Sequence, residues 1–170
     1  RAEAKGLILA GAHNLRFRAI VKKIKSIVRN DQLGNLFWAR FLSASYLPDW
    51  RPGREHGTGY AANPISGGVI FDSIHELDLA QYLLGKGEVV SATAAATRRL
   101  GIPSDDMADI VIQHCNGARS TIHLDYLTRP RRRRLEIVGS NGILEADLRS
   151  NFLRIAGHDD QEIETIAVTT

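Results

Sequence analysis

This chain has little of what marks secreted, membrane or metal-built proteins. It holds a single cysteine, Cys115, so no intramolecular disulfide and no cysteine-built zinc site can form. Cys115 sits in an apolar, strand-like run and reads as a core residue. No apolar run approaches the length of a membrane span, and no basic-plus-apolar leader opens the chain. A membrane partner is therefore not expected, and cytoplasm is the default compartment. Charge of one sign is also scarce. Lys+Arg total 22 against 19 Asp+Glu, a net +3 that exerts little pull on a polyanion. The motifs G-x-S-x-G, the P-loop and G-x-G-x-x-G are missing. The histidines show no metal-ligand spacing with acids, so no metal is expected. His56, His114, His123 and His158 have no partner pattern. There is no internal repeat.

What remains is an ordinary globular composition over 170 residues, enough for one core or for one domain plus part of another. Arg1 to Gly6 reads as a helix end stopped by glycine. Leu7-Ile8-Leu9-Ala10-Gly11 then reads as a buried, parallel-type strand, apolar without alternation. A helix tail and an orphan strand are the closing unit of an α/β sheet, so residues 1–13 are expected to be the remnant of a larger domain and 14–170 a second one. Arg18 to Val28 has helical spacing, with Ile20, Val21, Ile24, Ile27 and Val28 on one face. Asn35 to Tyr46 reads as a strand and Leu47 to Pro64 as a long loop of the kind that often carries function. Gly67 to Gly85 reads as one helix burying Val69, Ile70, Leu77, Ala80, Leu83 and Leu84.

Strands follow. They are expected over Val89–Arg99, Met107–Cys115, Ala118–Arg129, Arg132–Val138, Ile143–Ala146, Phe152–Ile155 and Ile163–Val168, with turns at Asn116-Gly117 and Ser140-Asn141-Gly142. Tight turns imply antiparallel pairing. Helices early and strands late give an α+β fold, an open, mostly antiparallel sheet with helices on one face, preceded by the α/β remnant.

Four segments carry chemistry. Asp72, His75 and Asp78 fall three apart, which on one continuous helix would place an acid, a proton-carrying imidazole and a second acid on one face. The alternative is an amphipathic helix with a satisfied histidine. The loop Tyr46-Leu47-Pro48-Asp49-Trp50-Arg51-Pro52-Gly53-Arg54 offers two guanidinium groups for a carboxylate or phosphate, with Tyr46 and Trp50 to stack on a sugar. Its alternative is a structured loop whose Trp plugs the surface. His13, Asn14 and Arg16 follow the apolar run, where ligands bind in open α/β sheets; Asn14 could instead cap the next helix. Arg129 to Arg134 lacks interleaved aromatics, so a solvated strand face or an intersubunit salt-bridge row is preferred over nucleic acid.

In this order the segments resemble the carboxyl-terminal part of the Gfo/Idh/MocA oxidoreductases. The matching stretches are Gly11 to Phe17, Gly34-Asn35-Leu36, Tyr46 to Arg54, Gly67 to Asp78, His123-Leu124-Asp125-Tyr126 and Glu136 to Gly142. The resemblance implies a Rossmann domain for NAD or NADP upstream of this α+β domain, whose open sheet packs on another subunit to make a homo-oligomer. It implies His75 as acid–base group and Asp72 as its companion, at a spacing of three where many members have four. Asn14 and Arg16 then fall to the cofactor. His13, Tyr46, Trp50, Arg51 and Arg54 fall to a sugar-like substrate, with a nucleotide-sugar or acidic sugar suiting the arginines. The family's Glu-Lys-Pro segment is missing along with the glycine-rich loop. The chain is accordingly expected to be a fragment of a sugar dehydrogenase, inactive alone. The competing expectation is a non-catalytic assembly or ligand-binding module that lost its nucleotide domain.

Overall fold

Ile20, Val21, Ile24 and Ile27 recur at helical spacing, and all four are buried on helix α1, Ala19–Arg29, with Lys22, Lys23 and Lys25 left to the other face. The computed structural model describes residues 1–157 and 162–167. Eight strands lie among the described residues. They are β1 Leu36–Ala44, β2 Gly87–Ala95, β3 Met107–His114, β4 Arg119–Asp125, β5 Arg132–Gly139, β6 Gly142–Asp147, β7 Phe152–Ala156 and β8 Glu162–Ala167. Strands β3 to β7 follow the period of two that a half-buried sheet requires. Val168 and His158 lie outside the described residues.

The strands form one open sheet in the order β2-β3-β4-β1-β5-β6-β7-β8. All neighbours run antiparallel except β1 and β4, which are parallel with Phe41 opposite Ile122. On the other side of β1, Phe41 stands opposite Leu135 of β5. The inward rows Ala39 and Phe41, Ile110 and Ile112, Ile122 and Leu124, Leu135 and Ile137, Leu144, and Leu153 are buried beneath the helices. The opposite face alternates charge, with Arg40 facing Glu136 and Arg154 facing Glu145.

Gly67 to Gly85 is two helices rather than one. Helix α2, Val69–Asp72, ends at Ser73, and helix α3, Ile74–Leu84, begins after it. The two pieces hang from different anchors. The Val69 N–H donates to the Asp105 carbonyl and the Ile70 N–H to its carboxylate. Glu76 of α3 is held by Arg133 of β5. Helix α3 lies on β1 and α1 packs beside α3. Val69, Ala80, Leu83 and Leu84 are buried as expected, while Ile70 and Leu77 are half-buried.

Other expectations are corrected. Leu7 to Gly11 is not a strand here, and Leu7, Ile8 and Leu9 are exposed. None of the eight strands pairs with it, and an unpaired strand leaves its backbone groups unmet. The turn before it does form, with Glu3–Lys5 closed by Gly6 in the left-handed region. Cys115 is exposed, because it stands past the end of β3 at the Asn116-Gly117 turn. Strand β2 does not alternate in burial. It is an edge strand exposed along nearly its whole length. Asn14 caps no helix; α1 begins after Arg18 without a side-chain cap.

Candidate active site

The sheet delivers Tyr126 to the base of the helix break. Strand β4 ends at Asp125, and the next residue, Tyr126, is fully buried with its hydroxyl donating to the Asp72 carboxylate. Burial pushes the Tyr126 phenol far above its ordinary value, and the Asp72 carboxylate pushes it further. Tyr60 is raised for the same two reasons, burial first and then Asp72, against the opposing pull of Arg51. Asp72 is thus a carboxylate fixed between two phenols. Trp50 packs edge-on against Tyr126, ring centres 5.4 Å apart at 88°, and donates its indole N–H to Ser45 Oγ at 3.0 Å.

The three residues expected on one helical face go to three places. Asp72 turns to Tyr126. Asp78 receives Arg16 Nε at 2.9 Å and stands 3.3 Å from His13 Nδ1. This pairing raises Arg16 above its ordinary value, and the guanidinium also lies over the Tyr82 ring. His13, Arg16 and Asp78 therefore form one cluster joining the segment before α1 to α3. His75 is half-buried, and its Nδ1 is buried with no hydrogen-bond partner. It is the only such side-chain atom among the described residues. Asp72 and His75 share no hydrogen bond.

The loop residues line two cavities. The first, about 230 Å³, is walled by Leu47, Trp50, Arg51, Arg54, His56 and Tyr60. The second, about 480 Å³, is walled by Ser45, Tyr46, Trp50, Arg51, Thr128 and Arg131, together with Asp49, Arg129 and Pro130. Its outer wall is held by Arg129, which donates from Nε to Asp49 at 2.7 Å and stacks 3.6 Å over Tyr46. Tyr46, Trp50, Arg51 and Arg54 are thus brought together; His75 and Asp72 line neither cavity, and Tyr126 and Tyr60 connect the loop to Asp72. Sequence reasoning assigned no role to Tyr126, Tyr60 or Asp105. Tyr126 did stand in a quoted motif, two residues after Leu124 and just past the end of β4, and that spacing, which continues the inward row of Ile122 and Leu124, is the signal that pointed inward.

The other described histidines are occupied. His56 Nε2 is bonded to the Leu100 carbonyl, His114 to Gly85 and Ser120, and His123 stands between Asp109 and Asp125. Among the described residues no group of three or more His, Cys, Asp or Glu could hold a metal ion, and no helix is long and apolar enough to cross a membrane. The arginine run divides by strand alternation. Arg133 points inward to Glu76, both largely buried, while Arg134 points outward to Asp147.

The fold is a sheet-backed α+β domain, an open eight-stranded sheet with helices on one face. The chain belongs to the GFO/IDH/MocA family, whose C-terminal domain profile matches residues 21–145. It is 28% identical over 176 residues to the D-apiose dehydrogenase of Paraburkholderia graminis, a match covering 97% of this chain and 44% of that protein. An oxidoreductase from Agrobacterium radiobacter, solved with NAD+, L-tartaric acid and magnesium, superposes with a TM-score of 0.78 at 23% identity, over 98% of this chain and 48% of that one. A levoglucosan dehydrogenase solved with NADH and levoglucosan gives 0.81 at 20%, over 95% and 47%. The chain spans less than half the length of the curated relatives it matches.

Proposed function

We propose that this chain is the substrate-binding half of an NAD- or NADP-dependent oxidoreductase acting on a sugar or sugar derivative. The observation that carries the reading is the unpartnered, buried Nδ1 of His75 beside the helix break that holds Asp72. A buried polar atom without a partner is costly, and it is retained where a ligand or a proton uses it. When bound, the nicotinamide supplies the hydride acceptor or donor. His75 takes the proton of the hydroxyl at the reacting carbon and returns it in the reverse direction. Asp72, held by the Tyr126 hydroxyl, is read as the companion acid of His75.

The residues present fit a nicotinamide only in part. The orphaned His75 atom and the uncommitted side chain of Asn14 suit one end of it, whereas Arg16 is engaged by Asp78 and these 170 residues contain no G-x-G-x-x-G. Residues 1–13 are read as the end of an α/β nucleotide domain, supported by three exposed apolar side chains in sequence, Leu7, Ile8 and Leu9. The relatives named as dehydrogenases of apiose and levoglucosan support a sugar as substrate. The outward sheet face, with Trp38 exposed beside Arg40, is read as the surface of a homo-oligomer.

The test is NAD(P)H formation at 340 nm by the full-length protein that carries this domain, over a panel of sugars. Substituting His75→Asn is expected to lower kcat by about 10²–10⁴-fold with the far-UV circular dichroism unchanged. Turnover that survives the substitution removes His75 from the chemistry.

A further inference from the structure

The larger cavity carries a charge that the reaction itself does not need. Three of its wall residues are arginines, Arg51, Arg129 and Arg131, against one carboxylate, Asp49. Asp49 is engaged by Arg129 Nε and Nη2, one on each carboxylate oxygen, and pairs with neither of the other two arginines. Arg51 makes its contact with a ring, lying 5.6 Å from the centre of Tyr60. Arg131 has its carbonyl oxygen bonded to Arg149, but among the described residues no carboxylate pairs with its guanidinium. Glu76 attracts it from a distance, yet that carboxylate is already held twice by Arg133. Partial burial, and then the neighbouring Arg133 and Arg149, make the Arg131 charge harder to keep than an isolated one. Unmatched guanidinium groups on a concave, partly dried surface are the arrangement that binds a carboxylate or phosphate in fork geometry. The opposite wall is aromatic, with Tyr46 clamped under Arg129 and Trp50 clamped by Ser45 and Tyr126. Stiff aromatic faces suit the carbon skeleton of a sugar ring.

We infer that the cavity between residues 45–51 and 128–131 is an anion subsite, in which Arg51 and Arg131 hold the carboxylate or phosphate of an acidic sugar against Trp50. The inference rests on the reading of this domain as the substrate half of a sugar oxidoreductase and narrows its substrate class. Trp50 and Arg51 line both cavities, so an acidic group seated here leaves the remainder of the ligand facing the Tyr60 side, toward Asp72.

The experiment is calorimetric titration of the purified protein with glucuronate, glucose 6-phosphate, glucose and inorganic phosphate, in the absence of any dinucleotide. Glucuronate or glucose 6-phosphate is expected to bind at least ~10-fold more tightly than glucose, about what one charge-assisted hydrogen bond supplies. Arg51→Gln and Arg131→Gln should each erase most of that preference, and Arg131→Lys should keep part of it. Arg132→Gln, the exposed neighbour outside the cavity, should leave it intact. Circular dichroism of each variant separates lost binding from lost folding. Equal affinity for charged and neutral sugars, no binding of any ligand, or a preference that survives both glutamine variants overturns the subsite. Inorganic phosphate binding as tightly as glucose 6-phosphate also overturns it, because the cavity would then take anions without a sugar. Assays with NAD(P)+ on the full-length protein that carries this domain keep the two readings apart. Acidic sugars bound at Arg51 and Arg131 but never oxidised would sink the oxidoreductase reading alone. Neutral sugars oxidised with no acidic preference would sink the subsite alone.

Discussion

Tyr126 ties a buried phenol to the Asp72 carboxylate, and its removal leaves that carboxylate short of a donor. A hydrogen bond to a charged group contributes about 1.5–3 kcal/mol, so Tyr126→Phe should cost roughly that much in urea unfolding. The same residue sets an alkaline limit. Its folded value lies above the ordinary 10.0, so the unfolded chain ionises first. Its contribution is therefore complete below that value and declines as pH rises past it. Urea midpoints of the wild type should fall between about pH 9 and about pH 11, and Tyr126→Phe should flatten that fall. At this scale the sequence was partly legible. His75 and Asp72 stood out by residue type. The partner of Asp72 did not, because it lies 54 positions away and is brought in by a strand.

Helix α3 is held to the sheet by one largely buried ion pair, Glu76 to Arg133, at 2.7 and 3.1 Å. Glu76→Ala strands the guanidinium and should cost about 3–5 kcal/mol in chemical unfolding, whereas Glu76→Met with Arg133→Met should recover most of it. Helix α2 depends on Gly68, which has φ +97° and where an added Cβ would stand 2.2 Å from Asp105 Oδ1. Gly68→Ala should lower stability by about 1–3 kcal/mol, read as a drop in melting temperature. The elements themselves were largely legible, since α1 and most strands carry their periodicity openly. The break at Ser73 was not, because periodicity runs through it and the anchors that impose it, Asp105 and Arg133, are remote. Strand β2 has an apolar appearance yet stays exposed, because an edge strand has only one neighbour to lean on.

Across the whole molecule, one sheet face is covered by helices and the other is bare, with Trp38 and a lattice of opposed charges along it. If that face is the oligomer surface, light scattering should give a multiple of the chain mass, and Trp38→Glu should shift it toward one chain. A mass unchanged by the substitution would place the contact elsewhere. The run Leu7 to Gly11 marks the limit of reading at this scale. Its composition suited a buried strand, but it pairs with none of the described strands and stays exposed.

Strand β1 is the centre of the sheet, yet neither of its neighbours is close to it in the chain. Its parallel partner begins at Arg119 and its antiparallel partner ends at Gly139. During synthesis β1 must wait, with Phe41 uncovered, until the residues through Gly139 have left the ribosome. Closing such distant contacts is slow, so nascent chains halted before Arg119 should be captured by chaperones and those extended past Gly139 released.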